Sequence, residues 1–123
     1  MKYYCEITSW GDEALLFLDN PEANFIIIFN NNAPAELAAF SVLHTPGNYN
    51  ADPAVGDMMV VCEKAFTITA IGDEALDTLK EMGHCTLSFK GGDTAERPGC
   101  IMLQGDAPLT KDDISAGMTI EIF

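Results

Sequence analysis

One five-residue segment occurs twice in the chain, and this repeat limits the possible folds more than any other feature. Gly11–Leu15 and Gly72–Leu76 both read GDEAL, 61 positions apart. In each copy a strand-like segment precedes GDEAL. A short helical stretch and an apolar strand follow it, Phe25–Phe29 in the first copy and Cys85–Phe89 in the second. Ordered self-similarity at a fixed spacing is typical of duplication, so we predict two copies of a unit of about 60 residues.

We predict that the chain forms one domain, 1–123, with the copies at about 3–62 and 64–123. Each copy predicts the order strand, short helix, strand, polar loop, strand, turn, strand. No long strand–helix–strand crossover is present, which argues against a parallel Rossmann-type sheet. Neither copy looks able to bury its apolar residues alone. The predicted fold class is therefore mainly β with short helices, with a barrel-like core built from two duplicated, intertwined units.

Helix signals are clearest after the two GDEAL segments. Asp12 and Asp73 are suitable N-caps, each preceded by glycine. Apolar residues recur at helical spacing over Asp73–Met82, and Gly83 follows as a helix-ending glycine. The other elements that we expect are a short helix over Pro34–Ala39 and closing strands over Met58–Cys62 and Thr119–Phe123.

The charge of the chain excludes some partners. Nineteen acidic residues face six basic ones, a formal net charge of −13. Nucleic acids and anionic membrane surfaces select clusters of Lys and Arg, so we expect neither as a partner, whereas a basic protein surface is favoured. No apolar segment approaches the ~20 residues of a membrane span, and the N-terminus lacks the pattern of a signal peptide. We therefore expect a cytoplasmic protein without direct membrane insertion.

The four cysteines do not form a metal-binding or disulfide pattern. None lies in a CxxC pair, and each sits in an apolar, strand-like segment. Free cysteine is among the most buried residue types, so we expect buried thiols without chemistry. The four residues are Cys5, Cys62, Cys85 and Cys100.

The histidine at the end of Phe40–Leu43 is the first candidate for chemistry. His44 follows this apolar run directly and precedes a Thr-Pro-Gly turn. Aligning the copies places His44 opposite Gln104, so the repeat itself does not require histidine there. A neutral imidazole serves as base, metal ligand or nucleophile, and backbone N–H groups of Gly47 and Asn48 could face a bound oxyanion. A strand-end histidine with a satisfied hydrogen bond explains the residue equally well.

Other signals leave alternatives open. His84 begins an apolar strand, which favours a structural role for it. Glu36 and Asp57 are candidate partners for His44, and the Asp112-Asp113 pair is expected to cap a turn. Phosphate loops, dinucleotide fingerprints, nucleophile elbows and paired-histidine zinc motifs are missing from the sequence. Two alternatives remain: a metal-binding or metal-dependent protein using both histidines with a cysteine or carboxylate, and a non-catalytic regulatory or binding module.

Several blocks of sequence resemble one known family. The chain is similar, over most of its length, to the glucitol/sorbitol-specific IIA component of the bacterial phosphotransferase system. Spacing between the matching blocks also fits with few gaps. The blocks are Ala33–Leu37, Val42–His44, Thr69–Gly72, Leu79–Phe89 and Pro98-Gly99.

The resemblance implies a specific role for His44. In that family the histidine after this apolar run carries a phosphoryl group, accepted from the phosphocarrier HPr and passed to a cysteine of the IIB domain during sugar-alcohol uptake. The family often has a second histidine two positions on, where this chain has Pro46, so His44 is the only imidazole in the loop. The resemblance leaves supporting roles open to His84, Thr45 and Gly47. It implies a phosphotransferase component with no cofactor and no metal, and it leaves a homodimer open.

Overall fold

The computed structural model describes all residues, 1–123, and the chain is mainly β. Two short α-helices are present, and a single 3-10 turn lies at Lys111–Asp113. The elements in chain order are β1 (Tyr3–Trp10), β2 (Phe25–Asn30), α1 (Ala35–Ala38), β3 (Ser41–His44), β4 (Asn48–Tyr49), β5 (Met58–Val61), β6 (Lys64–Ile71), α2 (Ala75–Met82), β7 (Cys85–Ser88), β8 (Cys100–Gln104) and β9 (Thr119–Ile122).

Eight of the strands close into a barrel. Their hydrogen-bonded order is β3-β2-β7-β8-β6-β5-β9-β1, and β1 then pairs with β3 to complete the ring, while β4 adds to β1 outside it. Two neighbouring pairs, β2–β3 and β7–β8, are parallel, and all others are antiparallel. Closure removes the unpaired sheet edges that would otherwise invite association. The expectation of a mainly β, barrel-like core is confirmed.

The strand pairings follow a pseudo-two-fold axis. The pairs β1–β9 and β2–β3 recur as β6–β5 and β7–β8 with the same register. Each of the pairs β2–β7 and β5–β9 joins two equivalent strands, so the axis passes through these pairs. It crosses them where Ile27 faces Thr86 and where Val60 faces Glu121. The strands of residues 3–62 and those of residues 64–123 therefore interleave around the ring, as predicted for intertwined units.

The register corrects our alignment of the two copies. His44 pairs with Ile7 in the first half, and Leu103 pairs with Ile68 at the matching position of the second. Leu103, and not Gln104, is therefore the counterpart of His44. Matched positions are 61 apart on β1 and β6 but 59 apart on β3 and β8, because the second copy is shorter between these strands. Our alignment from sequence assumed a nearly constant spacing between the two copies, so it matched His44 to a residue one position too far along β8.

The helices match the prediction only in part. Helix α2 starts at Ala75 after Glu74, so Asp73 is not its N-cap, and it ends as expected at Gly83, which has φ of +62°. After the first GDEAL no helix forms. Residues 12–19 make successive turns that bury Ala14 and Leu18, so Asp12 caps no helix either. Burial of those two side chains stabilises this segment in the core, although its backbone does not form the continuous hydrogen bonds of an α-helix.

The barrel interior is filled by aliphatic side chains from every ring strand. All four cysteines are free and buried, as predicted, and three of them belong to the main core. Burial raises the pKa of the Cys5 and Cys62 thiols to about 12, which keeps both protonated at neutral pH. None of the helices has both the length and the apolar character needed to cross a bilayer.

Interleaving predicts that neither half folds alone. In a fragment of residues 1–62, strands β1, β2 and β5 lack the partners that β9, β7 and β6 supply. Each fragment, 1–62 or 64–123, should give the narrow amide dispersion of an unfolded chain in NMR, and the intact chain should give the dispersion of a folded one. A fragment with a native-like spectrum and a cooperative urea transition would contradict the intertwined description.

Candidate functional site

His44 lies inside one end of the barrel. It is the last residue of β3, and side chains alternate along a strand, so His44 points inward with Val42. Across the antiparallel pair it faces Ile7, a core residue. The side chain has 0% exposure, one of only three fully or almost fully buried polar residues in the chain. The sequence therefore places a titratable ring where its counterpart Leu103 is a plain core residue.

Each ring nitrogen of His44 meets a backbone carbonyl oxygen. Nδ1 lies 2.6 Å from the oxygen of Thr45, and Nε2 lies 2.8 Å from the oxygen of Gly83. A carbonyl oxygen only accepts, whereas a neutral imidazole has a single N–H to donate. Only the imidazolium could donate to both, so in the neutral ring one nitrogen lone pair faces an oxygen lone pair.

Burial decides the charge of this ring. Desolvation lowers the pKa of His44, and the hydrogen bonds to Thr45 and Gly83 oppose the shift without reversing it. The ring is therefore neutral at neutral pH. A neutral imidazole keeps one lone pair, which is the form that attacks an electrophile.

Thr45 anchors the loop side of this site. Its N–H donates to the carbonyl of Glu6 at 2.9 Å, and its Oγ1 accepts from the Glu6 N–H at 3.0 Å. These two bonds tie the end of β3 to β1, so the Thr45 carbonyl is a fixed partner for Nδ1. Thr45 thus contacts the histidine through its backbone and not through its hydroxyl.

Gly47 has a packing role in the structure. A Cβ at this position would overlap the ring of Tyr3, whose hydroxyl is buried without a hydrogen-bond partner. Glycine therefore lets the loop after His44 lie flat on β1. The backbone N–H groups of Gly47 and Asn48 are not recorded in any hydrogen bond to His44.

Gly83 closes the site from the other side. It is buried at the C-terminal end of α2, where its N–H donates to Leu79 and the next N–H donates to Thr78. Its left-handed backbone turns the carbonyl toward His44. A Cβ here would overlap both Asn30 Oδ1 and His44 Cε1, so these two side chains lie next to each other against the glycine.

His84 lies near the site but is held by other groups. Its ring packs against Phe29, with 4.6 Å between the ring centroids, and its Nδ1 lies 3.2 Å from the Ile28 carbonyl oxygen. Successive side chains of β2 point to opposite faces, so Phe29 lies on the face opposite the core residue Ile28. The two histidines share no hydrogen bond, because His44 bonds to Thr45 and Gly83 whereas His84 packs on Phe29 and reaches Ile28.

The carboxylates named from sequence do not reach His44. Asp57 pairs with Lys2 at 2.7 Å, which lowers the pKa of that carboxyl, and Glu36 is exposed on α1. In the Asp112-Asp113 pair, Asp113 forms a capping box with Thr110, so the expected turn cap is confirmed.

The metal-binding alternative requires a cluster of ligand side chains. No group of three or more His, Cys, Asp or Glu side chains is placed to hold a metal ion. A cleft of about 710 Å³ is lined mainly by residues of the second copy and does not include His44.

Asn30 was not predicted as a site residue from the sequence, and Gly83 was predicted only as the end of a helix. A signal for Asn30 was present, because Ile26 and Ile28 set an inward phase along β2 and Asn30 is the next residue in that phase. The parallel register then pairs Asn30 with His44. The role of Gly83 depends on a contact 39 positions away in sequence, which periodicity does not reveal.

The lowered pKa of His44 predicts a specific loss of stability in acid. The unfolded ring titrates near 6.5 and the folded ring below that value, so between the two the unfolded state binds the extra proton. The free energy of unfolding should then fall as pH drops below about 6.5, by at most about 1.4 kcal/mol per pH unit. Urea titrations of wild type and His44→Gln from pH 8 to 5 should diverge in this window, with the variant less sensitive. Parallel curves would show that His44 is not held neutral.

Comparison with known proteins agrees with this architecture. The family model described as the PTS system glucitol/sorbitol-specific IIA component matches residues 2–121. The PTS system glucitol/sorbitol-specific EIIA component of Escherichia coli (strain K12) is 32% identical over 119 residues, 97% of this chain and 92% of the relative. The Shigella flexneri protein of the same name gives the same identity and coverage.

A solved structure shares the fold. The crystal structure of a PTS system IIA component from Enterococcus faecalis V583 matches with a TM-score of 0.74 and 23% identity, and the match covers 96% of this chain and 97% of that one. Together with the family match over nearly the whole chain, the sequence relatives decide the assignment. The chain belongs to the glucitol/sorbitol-specific IIA components of the phosphotransferase system, which are phosphotransferase-type carriers.

Proposed function

We propose that His44 is the phosphoryl carrier of this IIA component. In this proposal the phosphohistidine of HPr donates to His44, and phospho-His44 donates to a cysteine of the IIB domain in the cytoplasm, during uptake of a sugar alcohol of the glucitol/sorbitol type. The observation that carries it is a fully buried, neutral imidazole with one nitrogen held by a fixed carbonyl. A core position that accepts leucine in the other half has no structural need for such a ring.

The geometry favours Nε2 as the attacking nitrogen. The Nδ1–Thr45 contact is the shorter of the two, and Thr45 is fastened to β1 through two bonds. We therefore place the single proton on Nδ1, donated to the Thr45 carbonyl. Nε2 then carries the lone pair. This backbone partner fixes the tautomer and the ring orientation, as a carboxylate does in other histidine sites.

Transfer requires the site to open. In this structure the Gly83 carbonyl lies 2.8 Å from Nε2 and occupies the direction from which a phosphorus atom must approach. With the proton on Nδ1, this contact brings two lone pairs together and gives no hydrogen bond. Because the closed arrangement is weak at this point, we expect the Gly83 segment or the ring to move when HPr docks.

Both chemical steps balance without a cofactor. The Nε2 lone pair attacks the phosphorus of the carrier, a new N–P bond forms, and the carrier imidazole leaves with the electrons of the old N–P bond. In the second step a thiolate of the IIB domain attacks, an S–P bond forms, and His44 leaves as a neutral ring that has kept its Nδ1–H. Such transfers depend on positioning and on stabilising charge, which a buried ring with a fixed tautomer provides.

The charge of the chain fits the proposed donor. At a net charge of −13, a basic carrier surface would be attracted over long range and would associate quickly at low ionic strength. This attraction should weaken with added salt, since exposed charges more than about 10 Å apart are screened at 0.1 M ionic strength.

Intact mass spectrometry tests the carrier role directly. The purified chain is mixed with phosphoenolpyruvate, enzyme I and HPr, and wild type is compared with His44→Gln and His84→Gln. We expect one acid-labile phosphoryl group on wild type and on His84→Gln, and none on His44→Gln, because the proposal assigns the nucleophile to Nε2 of His44.

Three other outcomes would contradict the proposal. Phosphorylated His44→Gln would place the acceptor elsewhere, and loss of modification only in His84→Gln would exchange the roles of the two rings. Wild type that stays unmodified beside fully phosphorylated HPr would favour the non-catalytic binding module.

A further inference from the structure

Asn30 is the polar side chain that shares the barrel end with His44. The two residues pair in the parallel register of β2 and β3, so their side chains project from neighbouring strands toward the same side. Both crowd the α-carbon of Gly83, where an added Cβ would meet Asn30 Oδ1 and His44 Cε1. Asn30 is half-buried and His44 is fully buried, so part of Asn30 reaches solvent while the neighbouring imidazole does not.

The amide oxygen of Asn30 is unpaired. Oδ1 is buried and has no hydrogen-bond partner, one of three such side-chain atoms in the chain. Buried polar atoms are almost always hydrogen-bonded, and an exception calls for a reason other than stability. A half-turn about the last side-chain torsion exchanges the oxygen with the NH₂ group, so this position can present either an acceptor or two donors.

The other half of the barrel fills the same place with apolar side chains. Leu103 is the counterpart of His44, and the register of β7 and β8, continued by one residue, sets Phe89 beside it as the counterpart of Asn30. Leu103 is fully buried, and Phe89 packs against the core. The fold therefore accepts an apolar pair here, and only the first copy carries the polar pair Asn30 and His44.

We propose that the Asn30 side-chain amide binds the phosphoryl group carried by His44, which rests on the proposed function of His44. A phosphoryl group on the ring brings oxygen acceptors to the place where the Asn30 amide lies beside the imidazole, against Gly83. The amide turns its NH₂ toward these oxygens and donates to them, without bringing a carboxylate that would repel their charge. Asn30 thereby stabilises phospho-His44 and the transfer states on either side of it.

None of the five lysines forms a hydrogen bond or ion pair with Asn30 or His44. Four of the five form ion pairs with carboxylates of the chain, and Lys80 lies over the ring of Tyr49 at 5.6 Å from its centroid. A neutral amide also lets the phosphoryl group leave again, since it binds less strongly than a paired cation. A relay that accepts and donates needs this moderate strength.

Three variants separate phosphoryl binding from packing. Asn30→Asp keeps the shape but replaces the donors with a carboxylate, and Asn30→Leu removes all polar atoms at similar size. Asn32→Asp is the matched control, because it makes the same change at an exposed residue two positions on. Initial rates of phosphorylation by phospho-HPr are followed by intact mass from pH 5 to 8, with urea unfolding as the check on folding.

We expect Asn30→Asp to be at least tenfold slower than wild type at pH 7.5. Partial burial and the negative phosphoryl group both raise the pKa of the new carboxyl above its usual value of about 3.9, so the rate relative to wild type should recover as the pH falls toward 5 and the carboxyl gains a proton that it can donate. Asn30→Leu should be slowed at least tenfold at every pH while remaining folded, and Asn32→Asp should match wild type. Because a packing role alone gives no recovery in acid, the pH profile of Asn30→Asp is the decisive readout.

Rates of Asn30→Leu within twofold of wild type would overturn the inference, as would an Asn30→Asp defect that does not change with pH. In either case normal wild-type phosphorylation leaves the carrier role of His44 standing. Wild type that accepts no phosphoryl group removes the proposed function and this inference together.

Discussion

The site depends on a buried imidazole that faces two carbonyl oxygens but, when neutral, has only one N–H to donate. His44 is buried, burial lowers its pKa, and its nitrogens lie 2.6 and 2.8 Å from the oxygens of Thr45 and Gly83. A neutral ring satisfies only one of them. The Thr45 contact orients the ring, and in the proposed mechanism the site opens on the side of the unsatisfied Gly83 contact. Because the neutral ring has only one proton, Nε2 keeps a lone pair and the Gly83 carbonyl receives no hydrogen bond from the ring.

The barrel supplies the rigidity that this arrangement needs. A pseudo-two-fold repeat of strands builds both halves, and closure leaves the ring without an open edge. One barrel position holds His44 in the first half and Leu103 in the second. A duplicated scaffold can therefore place a polar group at one end while the other end stays apolar and stabilises the fold.

The positions of the strands and of α2 could be predicted from the sequence, whereas the residue-by-residue match between the two copies could not. Alternation and turn residues located the ring strands, and the glycine signal located Gly83 at the end of α2. The alignment missed the counterpart of His44 by one residue, because length differences between copies are visible only through hydrogen-bond register. His44 itself was found from its place at a strand end and from family resemblance. The contacts of Asn30 and Gly83 join strands distant in sequence, so local patterns could not supply them.

The protonation and phosphorylation of the His44 ring can be observed nitrogen by nitrogen. Long-range ¹H–¹⁵N correlation spectra of the imidazoles, recorded before and after phosphoryl transfer from HPr, report which nitrogen carries the proton and which carries phosphorus. We predict a neutral His44 protonated on Nδ1 at pH 7.5, and after transfer a phosphoryl group on Nε2 with the Nδ1 proton retained. A charged ring before transfer, or phosphorus on Nδ1 or on His84, would contradict this prediction.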